Sequence, residues 1–169
     1  RLGSPCAILT KVGKDRFGDY LLEDWESLGV DLSYVSRGGG PTGFYVGEYA
    51  EDASYRIWYW RHGSAASTIA PADVDRVDLD GVRLAHLSGI SQAISASSRS
   101  ATKRLAERSK DRGIQVSLDI NYRPQIWSPE DAAEAIHEVL PEVHLVFCGS
   151  PDESWMVTGL EAHAEAAKY

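Results

Sequence analysis

Two runs rich in apolar residues, Ile114-Gln115-Val116-Ser117-Leu118 and His144-Leu145-Val146-Phe147, are each followed by a serine, a proline and two acids. The second elements are Ser128-Pro129-Glu130-Asp131 and Ser150-Pro151-Asp152-Glu153. Serine at a helix cap accepts an otherwise unpaired N–H, and proline at the first helical position gives up no internal hydrogen bond. Acids in the first turn face the positive end of the helix dipole. Each run therefore reads as a strand that must hand over to a helix. Strands alternating with helices predict parallel βαβ units, with the helices laid against a sheet.

The rest of the chain fits that order. Arg83-Leu84-Ala85-His86-Leu87 reads as a strand, and Ser88-Gly89-Ile90 leads out of it into a helix that ends before Gly113. Nearer the start, Cys6 to Leu9 reads as a short buried strand. Phe17, Leu21, Leu22, Trp25 and Leu28 then recur at helical spacing, and Gly29 closes the helix. After the break Gly38-Gly39-Gly40-Pro41 come two β-rich runs, Thr42 to Tyr49 and Tyr55 to Arg61. The polar turn Ala50-Glu51-Asp52-Ala53-Ser54 joins them into a predicted hairpin. Side chains alternate across a strand, so Tyr59 and Arg61 share one face while Trp58 and Trp60 share the other. The three glycines form no P-loop, since no Gly-Lys-Ser or Gly-Lys-Thr follows, and they read as a hinge.

At 169 residues the chain is the size of one domain, and its apolar and charged fractions, 43% and 25%, are those of an ordinary soluble protein. A net charge of −8 excludes a general nucleic-acid or anionic-membrane surface but leaves room for a local cationic pocket. No apolar run is long enough to span a bilayer and no signal peptide opens the chain. It starts at Arg1 without an initiator methionine, which predicts a start that is processed, trimmed or missing. Cys6 and Cys148 lie in separate apolar runs and are expected as buried free thiols in a reducing cytoplasm. His62, His86, His137, His144 and His163 show no metal-ligand spacing and are expected to be structural or exposed.

Chemistry concentrates in Asp119-Ile120-Asn121-Tyr122-Arg123-Pro124-Gln125-Ile126-Trp127, directly beyond the strand ending at Leu118. In open α/β sheets, ligands collect outside the carboxyl ends of strands. Arg123 offers a planar cationic fork on a proline-stiffened loop, suited to a carboxylate or phosphate, or else bridges loop to helix on the surface. Asp119 and Asn121 can orient a ligand or a magnesium-bound water, or can satisfy backbone groups of a tight loop. Glu153, three residues after Ser150, also fits a capping box.

With these pieces in order, the chain resembles the ribokinase-like (PfkB) sugar kinases, and among them those acting on 2-keto-3-deoxygluconate. Leu9 to Gly18 is similar to the family's G-x-D-x-F-G stretch. Pro41-Thr42-Gly43-Phe44-Tyr45 and Tyr59 to Ser67 resemble its substrate lid, while Leu87 to Ile90 and Asp119 to Trp127 resemble its pocket floor and D-x-N-x-R-P loop. The resemblance implies a three-layer α/β/α core with a small β lid, incomplete here: residues 1–169 as a partial kinase domain, with 37–64 as the inserted lid. It implies a cytoplasmic enzyme using ATP and Mg2+ to phosphorylate a sugar acid, with Tyr45, Tyr59, Arg61, Ile90 and Arg123 as substrate contacts. Asp119 and Asn121 would orient the ligand, and Glu153 and Ser150 would lie toward nucleotide and magnesium. Ser150 departs from the family's asparagine at that place. A homo-oligomer joined through the lid, with Trp58 and Trp60 in its surface, is implied as well. The family's Gly-Gly and Asn sugar contacts would precede Arg1, and its Gly-Ala-Gly-Asp segment with the catalytic base would follow Tyr169, so these residues alone are expected to be inactive. Two other readings stay open: a kinase for a neutral hexose or ribose, and a non-catalytic sugar-acid-binding or dimerisation module.

Overall fold

The computed structural model describes residues 3–49 and 55–159, and the chain divides into two units, Arg1–Val77 and Asp78–Tyr169. In the first, β1 (Thr10–Val12) and β2 (Val35–Arg37) pair in parallel, with Thr10 opposite Val35 and Val12 opposite Arg37. Helix α1 (Arg16–Ser27) connects them; Asp15 caps it, and Gly29 leaves it at φ 75°. The expected strand at Cys6–Leu9 is displaced, because regular pairing starts only at Thr10 and Ala7 makes a single bridge to Asp31. With so little of that run paired, Cys6 is exposed rather than buried.

The hairpin forms as its alternation predicts. Strand β3 (Phe44–Tyr49) runs antiparallel to β4 (Tyr55–Trp60), with Phe44 opposite Trp60 and Tyr49 opposite Tyr55. The expected turn at 50–54 lies outside the described residues. Directly paired residues share a face. Tyr45 and Tyr59 therefore stand on one side, and Phe44, Val46, Trp58 and Trp60 on the other. Beyond the hairpin come a 3-10 turn at Ala65–Thr68 and the short helix α2 (Pro71–Asp75), neither of which the residue pattern predicted. Asp73 there takes an ion pair from Lys11 at 2.6 Å and accepts the Ala70 N–H at 2.9 Å.

The second unit holds the parallel βα order. Strands β5 (Leu84–Ser88), β6 (Gln115–Asp119) and β7 (Leu145–Phe147) form one parallel sheet in that order. Helices α3 (Gly89–Ala93) and α4 (Ala96–Lys110) follow β5, α5 (Pro129–His137) follows β6, and α6 (Pro151–Thr158) follows β7. A single helix was expected between Ile90 and Gly113. It is broken instead at Ser95, whose hydroxyl accepts the Ser98 N–H at 3.0 Å and caps α4.

Leu87, Val116 and Leu118 face the helices and join Ala132, Ile136 and Met156 in the core. Each large apolar side chain removed from water there contributes about 2 kcal/mol. The opposite sheet face leaves Leu84, Leu145 and Phe147 at 54%, 53% and 50% exposure. Cys148, one residue beyond edge strand β7, is likewise exposed rather than buried. No helix among the described residues is long and apolar enough to cross a membrane.

Candidate functional site

At the base of the hairpin, the Asp15 carboxylate accepts the N–H of Gly18 at 2.8 Å, the N–H of Thr42 at 2.7 Å and the Thr42 hydroxyl at 2.8 Å. These hydrogen bonds, led by the Thr42 N–H, hold its pKa below the ordinary carboxylate value. Gly13 closes the ring by donating to Thr42 Oγ1 at 2.9 Å. A Cβ on Gly13 would stand 2.1 Å from the Asp15 carboxylate, and one on Gly18 would stand 2.3 Å from the Gly13 carbonyl oxygen. The Gly-x-Asp-x-x-Gly spacing is thus a packing requirement, tying the first residues of the hairpin to the start of α1.

On the tyrosine face of the hairpin, the rings of Tyr45 and Tyr59 lie 6.1 Å apart. The Arg61 guanidinium sits 5.5 Å from the Tyr59 ring centre, a cation–π contact. Arg61 Nε is buried and has no hydrogen-bond partner. A buried donor without an acceptor is costly, so this is a group suited to meeting a ligand oxygen. The structure brings Tyr45, Tyr59 and Arg61 together within the first unit.

In the second unit, Ser88, Asp119 and Phe147 stand in register at the carboxyl ends of the three strands. Ile90 lies in the first turn of α3, and a Cβ on Gly89 would fall 2.1 Å from the Ile120 carbonyl oxygen, so α3 starts hard against the end of β6. Asn121 adopts a left-handed backbone, φ 47°, which asparagine tolerates better than most residues. Its Nδ2 donates to Asp119 Oδ2 at 3.2 Å, while its Oδ1 is buried without a partner. Arg123 donates from Nη1 to the Tyr122 carbonyl at 2.7 Å, folding its guanidinium back over its own loop.

Ser150 caps α6 by accepting the Glu153 N–H at 3.2 Å. The Glu153 carboxylate does not complete the reciprocal box. It accepts the Tyr122 N–H at 2.7 Å and the Gly149 N–H instead. The Tyr122 and Gly149 amides were missed at the level of residue types, because backbone donors carry no signature in sequence. Beside them, partial desolvation of its sulfur and then the Glu153 charge push the Cys148 thiol pKa up, although the residue as a whole is exposed. Among the described residues, no group of three or more His, Cys, Asp or Glu could hold a metal ion.

Parallel strands feeding helices, with polar groups gathered at their carboxyl ends, define an α/β protein of the ligand-binding kind. The chain belongs to the pfkB family of carbohydrate kinases, whose family model matches residues 1–169. A 2-dehydro-3-deoxygluconokinase of Thermoproteus tenax is 33% identical over 168 residues, covering 97% of this chain and 50% of that protein. The crystal structure of a PfkB protein from Polaromonas sp. JS666 superposes with a TM-score of 0.86 at 31% identity, over 99% of this chain and 57% of the other. That of a 2-dehydro-3-deoxygluconokinase from Thermotoga maritima gives 0.88 at 26%, over 99% and 54%. The chain spans about half the length of the curated relatives it matches. The expected ribokinase-like α/β fold is therefore the fold found, in incomplete form.

Proposed function

We propose that this chain is part of a cytoplasmic ATP- and Mg2+-dependent kinase that phosphorylates 2-keto-3-deoxygluconate at its terminal hydroxyl, yielding the 6-phosphate. The observation that carries the reading is the loop beyond β6, where a buried Asn121 Oδ1 without a partner and the Arg123 guanidinium stand two residues apart. A sugar acid presents the matching chemistry: hydroxyls that donate to an amide oxygen, and a carboxylate that a guanidinium grips through two parallel bonds. The relatives named as 2-dehydro-3-deoxygluconokinases support this choice of acid. Asp119 fixes the Asn121 amide by accepting from its Nδ2, which turns Oδ1 toward a ligand. Tyr45, Tyr59, Arg61 and Ile90 are further proposed sugar contacts, with Arg61 Nε supplying an unused donor. ATP supplies the phosphoryl group, and magnesium neutralises its phosphates. The 169 residues by themselves are proposed to be inactive, since no Gly-Ala-Gly-Asp occurs among them.

Calorimetric titration tests the carboxylate assignment. Arg123→Ala should weaken binding of 2-keto-3-deoxygluconate by about tenfold to a hundredfold, the range for losing a charge-assisted hydrogen bond, while leaving a neutral sugar such as ribose unaffected. Equal weakening for both ligands would sink the assignment. Binding of the sugar acid without ATP consumption, even after the chain is joined to the remainder of a kinase, would favour a non-catalytic binding module.

A further inference from the structure

We infer that Glu153 is a positioning residue, a carboxylate strut that holds the loop of Asn121 and Arg123 against the turn between β7 and α6. The inference rests on the sugar-acid reading for its functional consequence, but its geometry stands independently. Strands β6 and β7 end their regular pairing at Asp119 and Phe147, and the Ile120 N–H still reaches the Phe147 carbonyl at 3.1 Å. Beyond that point the two backbones leave the ladder. The Glu153 carboxylate is then the group that bridges them, accepting the Tyr122 N–H with Oε1 at 2.7 Å and the Gly149 N–H with Oε2.

The Tyr122 N–H belongs to the Asn121–Tyr122 peptide, so holding it fixes the plane that carries the Asn121 Cα and leads the chain into Arg123. The left-handed Asn121 is a conformation that persists where surrounding contacts over-determine it, and the bond to the next residue's N–H is such a contact. Both Glu153 oxygens are engaged, and the residue is only 5% exposed. That degree of enclosure suits a group supporting a loop better than one reaching out to a hydrated cation, which keeps several of its waters.

The test is amide hydrogen exchange on the purified chain, with calorimetry alongside. In the wild type, the Tyr122 and Gly149 amides should be protected although they lie outside the sheet ladder; exchange at the free-peptide rate would overturn the inference with no variant needed. Glu153→Gln keeps size and shape but exchanges one acceptor oxygen for an NH2 group. It should speed exchange at one or both amides by about tenfold or more and weaken 2-keto-3-deoxygluconate binding by a similar factor. Faster exchange with unchanged sugar-acid affinity would reduce Glu153 to a stability role and overturn the positioning claim. Release of the two amides on adding Mg2+ to the wild type would mark the carboxylate as a metal ligand, with the same consequence. Protected amides that Glu153→Gln releases, in a chain whose wild type binds no sugar acid, would support the strut and overturn the proposed function instead.

Discussion

Asp15 shows how much one side chain can organise when three donors converge on it. The Thr42 N–H, the Gly18 N–H and the Thr42 hydroxyl all favour its charged form, so its pKa is lower in the folded chain than the ordinary 3.8. The stabilisation is complete above that ordinary value and is lost as pH falls through the lowered folded value, because the unfolded carboxyl takes up its proton first. Asp15→Asn should therefore lower the urea midpoint at pH 7 and flatten its fall below about pH 4. An acid limb as steep as that of the wild type would contradict this role. Residue type alone exposed Asp15 as part of a glycine-flanked motif. Its Thr42 partner, 27 positions away, could be found only once the chain had folded.

At the scale of the element, the hairpin separates two chemistries by period two alone. Its tyrosine face carries Tyr45, Tyr59 and Arg61. The other face carries Phe44, Val46, Trp58 and Trp60, and Phe17 from α1 extends that apolar row by stacking on Phe44 at 5.9 Å. Trp58 and Trp60 remain 42% and 51% exposed, and a contiguous apolar face of this kind calls for cover. If that cover is a second copy, as proposed for the lid, light scattering should show a mass that falls on dilution. Trp58→Ser with Trp60→Ser should then give a monomer at all concentrations, and a wild type that is already monomeric throughout would refute the dimer. The face assignments were legible because alternation is local. The break between α3 and α4 was not: the serine-rich stretch from Ser91 to Ser100 offers several candidate caps, and packing selects Ser95.

Considered whole, the second unit rests on one core, in which Leu118 and Ile136 are fully buried between sheet and helices. Leu118→Ala should cost about 2–5 kcal/mol, read as a lower urea midpoint by circular dichroism. That loss is a large share of the 5–15 kcal/mol typical of a domain. A change below 1 kcal/mol would mean that the site collapses around the deletion. The other face of the sheet stays apolar and open at Leu84, Leu145 and Phe147. A burial expectation drawn from an apolar run therefore failed for Cys148, because such a run shows that a strand can be covered and not which of its residues is.

The sequence by itself determined the strand–helix order, the serine caps of α5 and α6, the two faces of the hairpin and the polar loop after β6. All of these follow from interactions within a few residues, whose geometry is nearly the same in any fold. Tertiary structure decided the exposure of both cysteines, the strand register, the unpartnered oxygen of Asn121 and the destination of the Glu153 carboxylate. The last lies 31 positions from Tyr122, and a bond over that span exists only because β6 and β7 are neighbours in the sheet. A capping-box motif names the carboxylate, but only packing decides which N–H it meets.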